Sequence, residues 1–340
     1  MLNEREIIDV IISKIRPNVH PSSNKNRIGA DDVSVVSLGY ANPPIGLAVK
    51  CDMLVESTDV PKGMKPWQIA RKSVSACISD LSAKGIKPQV SLISLGIPKS
   101  YSKTDIEGLA KGFQVASEEF GVRIVGGDTN EAKELIIDCT MIGLLKNSEK
   151  IVPRRNGAKP GDVILVSGEF GYTLAGLKIL TKNMKAYGGF RDRAISSVMQ
   201  PRPAQKFGIS LAKYFSASID SSDGLGISLY ELAAQSGVNF LVDNMPSAKG
   251  VHRFAIDNHL DYKSLVFYGG EEYEIVATIP KPNLRKAMSA ARRLKLKLIV
   301  IGEVEKGTGK VFLLANKAGK RIQLQDRGYV HLNHGRRSSR

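Results

Sequence analysis

Apolar runs of strand and helix length alternate along the chain in two successive halves, and this predicts a two-domain protein of α/β and α+β type. Three observations carry the prediction. Several strand runs follow one another over short connections, so a mixed sheet is expected rather than a purely parallel one. The length, 340 residues, exceeds what one hydrophobic core usually serves. A turn-rich cluster, Asn156-Gly157-Ala158-Lys159-Pro160-Gly161-Asp162, stands just before a four-residue apolar run and marks a boundary. The expected division is an N-terminal domain over 1–150, a C-terminal α+β domain over 151–334 and a basic tail over 335–340.

In the first half, Ile7, Ile8, Ile11, Ile12 and Ile15 recur at helical spacing and predict an amphipathic helix over 4–15. Two β-branched runs, 33–38 and 45–49, read as strands. Pro66 then opens a helix that carries Ile69, Val74, Cys77, Ile78 and Leu81 on its apolar positions and stops near Gly85. Strand 90–95, helix 103–120 and strand 122–125 follow, with Gly126-Gly127-Asp128-Thr129 as a turn, and 135–145 is a long strand.

The second half alternates again. Strands are expected at 163–166, 239–242, 273–279, 297–302 and 311–314, with a strand end at Ser218-Ile219. Helices are expected at 172–181, 204–214, 225–235 and 282–294.

Composition narrows the function classes. The formal charge is +16, which invites a nucleic-acid or membrane-surface partner. Position removes most of that force: residues 281–340 hold 16 basic residues against three acidic, a local +13, which leaves only +3 for the rest. No recognised nucleic-acid module accompanies the basic stretch, so neither a nucleic acid nor a membrane is expected as partner. With 42% hydrophobic and 24% charged residues the chain suits a soluble globular protein. No apolar run is long enough for a membrane span, and the first residues lack a signal-peptide pattern, so a cytoplasmic location is expected. Cys51, Cys77 and Cys139 show no paired spacing and read as small buried residues rather than a disulfide or zinc set.

The informative pattern is a set of aspartates at glycine-rich or apolar element ends: Asp31 and Asp32, Asp52, Asp80, Asp128, Asp220 and Asp223. Each alone also fits a plain turn, a helix cap or a solvated acid. Brought together they would repel one another, and divalent cations are the natural resolution. Hard oxygen ligands beside glycines suit Mg²⁺ and a polyphosphate. No Walker loop, kinase H-R-D and D-F-G pair or G-x-S-x-G elbow is present, so Ser222 has no support as a nucleophile.

In order, Gly29-Ala30-Asp31-Asp32, Asp52-Met53-Leu54-Val55-Glu56, Ser79-Asp80-Leu81-Ser82-Ala83-Lys84-Gly85, Gly126-Gly127-Asp128-Thr129, Arg155 with the cluster 157–162, Asp220 to Leu225, Gly269-Gly270-Glu271-Glu272-Tyr273-Glu274 and Gly328-Tyr329-Val330-His331 resemble the thiamine-monophosphate kinase family over nearly the whole chain. That family shares a superfamily with aminoimidazole ribonucleotide synthetase and selenophosphate synthetase. The resemblance implies a homodimer, with an N-terminal mixed sheet that forms half of a barrel with a second subunit and a C-terminal α+β domain covering the ATP cleft. It implies ATP-dependent phosphorylation of thiamine monophosphate to thiamine diphosphate, by direct in-line transfer with several Mg²⁺ ions. No covalent nucleophile or general base is required, because a phosphate oxygen already attacks competently.

By the same resemblance Asp32, Asp52, Asp80, Asp128, Asp220 and Asp223 would hold metal. Gly127, Asp128, Arg155 and Ser222 would contact ATP, with Arg155 as a forked donor to its phosphates. Glu271 and Tyr329 would meet the thiamine moiety, a carboxylate and an aromatic face suiting its cation. Asp59 stands where the family usually has a histidine and is the third substrate candidate. Lys50-Cys51-Asp52 stands where the family usually has Ser-Thr-Asp, which removes two hydroxyls that would support metal binding, offers Lys50 as a replacement for part of a cation's charge, and leaves the number of ions open. Rival readings are aminoimidazole ribonucleotide synthetase, from the same superfamily, and a nucleic-acid-binding protein.

Overall fold

The computed structural model describes residues 6–8, 10–11, 31–38, 44–145, 152–315 and 319–328. Two mixed sheets organise it. The first, in the order β1-β2-β5-β3-β4, comprises β1 (Ser34–Leu38), β2 (Ile45–Val55), β3 (Pro88–Ile97), β4 (Arg123–Glu131) and β5 (Ile136–Leu145). Only β3 and β4 run parallel, joined through the helix Lys103–Phe120. That helix starts at a reciprocal cap, in which the Asp105 N–H donates to Ser102 Oγ at 3.3 Å and the Ser102 N–H donates to Asp105 Oδ2 at 2.9 Å. It ends at Gly121, whose φ of +65° is the left-handed conformation that suits glycine.

The second sheet, in the order β12-β11-β8-β10-β6-β9-β7, comprises β6 (Val163–Val166), β7 (Ala217–Asp220), β8 (Val238–Val242), β9 (Ile275–Ile279), β10 (Ile299–Lys306), β11 (Val311–Leu314) and β12 (Arg321–Gln323). Here β8 and β11 are the parallel pair. The mixed sheets expected from closely spaced strand runs are therefore present.

Joining the two is the helix Pro66–Ala83. Every residue from Ile69 to Ala83 except Ala76 is buried, as expected of a helix covered on all sides rather than on one stripe. One side packs on the first sheet, where Ala48, Leu54, Ile93, Ile137, Cys139 and Met141 form a core with Val74, Cys77, Ile78 and Leu81. Ala83 enters a second core with Leu165, Phe207, Leu211, Ile275 and Ala277. The approach to the second half is close: a Cβ added to Gly208 would lie 1.8 Å from the Ser82 carbonyl oxygen, so glycine is required there.

Several expectations are corrected. Gly126-Gly127-Asp128-Thr129 is no turn but the middle of β4, paired with Leu92 to Leu95 of β3. A Cβ on Gly127 would come within 1.7 Å of the Ile93 carbonyl oxygen, so the glycine serves strand approach. β2 runs on to Val55, through Lys50, Cys51 and Asp52. The polar residues are tolerated there because Cys51 is exposed, while Lys50 pairs with Asp52 and Asp80. Cys77 and Cys139 are buried as expected, and Cys51 is not. Of the helix expected over 4–15, residues 6–8, 10 and 11 are helical, and the remainder lies outside the described residues, as does the basic tail 335–340.

Candidate active site

The acidic centre forms where the first sheet, the linking helix and β7 meet. Asp32 stands in the bend before β1, Asp80 in the last turns of Pro66–Ala83, and Asp220 ends β7. All three are buried, and one oxygen from each lies within 4.8 Å of the others. Among the described residues this is the set of acidic, histidine or cysteine side chains close enough to share an ion.

Three cations and a hydroxyl make this packing of carboxylates tolerable. The Lys84 Nζ lies 2.6 Å from Asp31 Oδ1 and 2.9 Å from Asp32 Oδ2, and donates to the Ser218 carbonyl at 2.6 Å. Asp32 Oδ2 is thus buried against the Lys84 ammonium. Arg155 donates to Asp32 Oδ1 through both Nε, at 2.7 Å, and Nη2. The Lys50 Nζ sits 3.1 Å from both Asp52 Oδ1 and Asp80 Oδ2. Ser79 donates its hydroxyl to Asp220 Oδ2 at 2.8 Å.

Ionisation follows these contacts. Burial works against the charged form of Asp32, but Lys84 and Arg155 outweigh it and hold the carboxyl below its usual range. Burial pushes Asp80 well above that range, with Asp220 and Asp52 adding to the rise and Lys50 opposing it. Asp220 is pushed up to about 7, by burial first and then by the charge of Asp32. Two neighbouring carboxyls that resist ionisation mark a place where added positive charge binds favourably.

A second cluster lies along the same helix. Lys72, buried, places its Nζ 2.7 Å from Glu271 Oε1, and donates to Glu271 Oε2 at 2.9 Å and to the Asp59 carbonyl at 2.6 Å. Glu271 adopts a left-handed φ of +61°, its N–H donating to the Ser222 carbonyl. Asp59 turns its own carboxylate back, accepting from the Val55 N–H at 2.8 Å.

The arrangement has known counterparts. The family described as AIR synthase related protein, N-terminal domain, matches residues 30–145. A thiamine-monophosphate kinase of Nitrosopumilus maritimus is 41% identical over 330 residues, covering 97% of this chain and 98% of its own. The chain belongs to the thiamine-monophosphate kinase family. The thiamine-monophosphate kinase of Pyrococcus horikoshii is 35% identical over 85% of this chain and 87% of its own. Among solved structures, AaThiL complexed with AMPPCP and TMP superposes with a TM-score of 0.80 at 26% identity, over 97% of each chain.

The structure sorts the residues singled out by resemblance to thiamine-monophosphate kinases. Asp32, Asp80 and Asp220 converge. Asp52 is tied to them through Lys50 rather than sharing an oxygen cage. Asp128 is exposed on the opposite face of the first sheet, with Oδ1 accepting from the Thr129 N–H, and neither it nor Asp223 enters the cluster. Arg155 is engaged by Asp32. Asp59 and Glu271 meet at Lys72, while Tyr329 lies outside the described residues. Lys72, Ser79 and Lys84 belong to these clusters although the sequence assigns them no role. Ser79 and Lys84 stand inside the segment 79–85 that carries the family resemblance, while the signal for Lys72 is only a lysine placed among buried helical positions.

Proposed function

We propose that this chain transfers the γ-phosphoryl group of ATP to the phosphate of thiamine monophosphate, giving thiamine diphosphate and ADP. The convergence of Asp32, Asp80 and Asp220 carries the reading, in a chain 41% identical along its length to a thiamine-monophosphate kinase. Aligning two polyanions requires charge neutralisation and positioning more than proton transfer.

Magnesium fits the donors present. Three hard carboxylate oxygens stand within 4.8 Å of one another, and the buried Ser221 Oγ beside Asp220 has no hydrogen-bond partner among the described residues. Asp32, Asp80 and Asp220 would hold Mg²⁺, with Asp52 and Asp223 as further candidates, and the ion would supply positive charge to neutralise phosphoryl oxygens there. Arg155, bound to Asp32, has the forked donor geometry that would suit the ATP phosphates. Ser222, whose carbonyl accepts from the Glu271 N–H, is the other ATP-side candidate near the cluster. Glu271, Asp59 and Tyr329 make up the thiamine side.

A homodimer through the open face of the first sheet completes this reading. Val36, Leu38, Ile45, Met53, Leu92 and Leu144 are all exposed, and the strand register places them on one face. An apolar face of this kind marks a protein interface. Among the described residues no helix is long and apolar enough to cross a membrane, and the proposed location is cytoplasmic.

The direct assay incubates the purified chain with Mg-ATP and thiamine monophosphate and separates the products. Thiamine diphosphate is expected. Its absence, with turnover of an aminoimidazole ribonucleotide precursor instead, would transfer the assignment to the synthetase.

A further inference from the structure

The Lys50 ammonium fills the space between the carboxylates of Asp52 and Asp80. Its Nζ lies 3.1 Å from Asp52 Oδ1 and 3.1 Å from Asp80 Oδ2, bridging a strand of the first sheet to the linking helix. A magnesium ion shared by those two carboxylates would need bonds of about 2.0–2.1 Å to the same oxygens, inside the volume that the ammonium fills. The oxygens of Asp32, Asp80 and Asp220 remain as the set, among the described residues, close enough to share one divalent cation.

We propose that the Lys50 ammonium is a built-in cation of this centre, so that the protein itself binds a single divalent ion and any further ion arrives with the nucleotide. This rests on the reading of the carboxylates as a magnesium site. Asp52 then holds Lys50 rather than metal. An ammonium on a strand that is hydrogen-bonded on both sides cannot be diluted away as a weakly bound second ion can, so the neutralisation it provides is independent of metal concentration.

Counting ions tests this. Mn²⁺ is titrated into the nucleotide-free full-length chain, and bound and free metal are resolved by electron paramagnetic resonance. The wild type is expected to take one tight ion per chain and Lys50→Ser to take two, with a larger rise in thermal midpoint on adding Mn²⁺ than in the wild type. Two or more tight ions in the wild type overturn the proposal, whether or not the variant folds. A folded Lys50→Ser chain that still takes one ion overturns it as well. No tight ion in either protein removes the magnesium reading itself, and this inference with it.

Discussion

Ser79 donates its hydroxyl to Asp220 Oδ2 at 2.8 Å, and this bond joins the helix that serves the first sheet to the last residue of an edge strand of the second. Asp80, the next residue along the helix, is thereby set against Asp220. The two carboxyls come from opposite halves of the chain and repel one another, so the junction of the halves stores an electrostatic demand that a cation satisfies.

Replacing Asp220 with Asn separates chemistry from folding. The amide oxygen still accepts from Ser79, while a buried carboxyl pushed up to about 7 is gone. Metal-free Asp220→Asn should melt no lower than the wild type, yet lose at least about 100-fold in kcat/KM. A thermal melt beside steady-state kinetics checks both, and retained activity would remove Asp220 from the centre.

Lys72 should act on one substrate and not the other. Lys72→Met withdraws the donor that holds Glu271 and the Asp59 carbonyl. Hydrogen bonds to charged groups contribute roughly 1.5–3 kcal/mol. The KM for thiamine monophosphate should rise about 10-fold or more, on the scale of about 1.4 kcal/mol per factor of ten, with the KM for ATP little changed. Equal effects on both would show that the cluster does not serve the thiamine side.

Glu272 gives the fold a pH dependence of definite sign. Its Oε1 accepts from the N–H groups of Gly171, at 2.6 Å, and Thr173, at 3.2 Å. Burial nevertheless pushes its carboxyl from 4.5 to about 7. Between those values the folded chain keeps a proton that the unfolded chain has released, so stability from this group is full at the acid end and falls as pH rises through the window. Glu272→Gln should therefore gain on the wild type in thermal midpoint from about pH 5 to about pH 8. A difference that stays constant over that range would contradict the assignment.

The exposed apolar face should report on assembly. Met53 is 65% exposed on the open side of β2, opposite Asp138 of β5. In sedimentation velocity the wild type should run as a dimer and Met53→Glu as a monomer. A wild type already monomeric at micromolar concentration would dispose of the homodimer.

Local chemistry makes much of this fold legible in the sequence. The helix Lys103–Phe120 is fully readable because Ser102, Asp105 and Gly121 punctuate it, and Val163–Val166 because a buried four-residue apolar run admits little else. The helix Gly188–Met199 is not, since two glycines open it and only Ala194 and Val198 are buried. β4 extends beyond its expected end because glycines that permit close strand approach read as a turn. In the site, Asp32 is visible through Gly29 shortly before it, and Asp80 and Asp220 through their places at the ends of apolar elements. Lys84 and Arg155 stand out in the sequence through the family resemblance, but not as partners of Asp32, because they are far from it along the chain and only the folded junction brings them within reach.

The destination of one phosphoryl group decides the assignment. The purified chain is incubated with Mg²⁺, ATP labelled in its γ-phosphate and unlabelled thiamine monophosphate, and the label is followed by chromatography. It should appear in the terminal phosphate of thiamine diphosphate, one equivalent for each ADP formed. Label found in inorganic phosphate, with thiamine monophosphate recovered unchanged from a folded and metal-loaded chain, would contradict a kinase acting on that substrate.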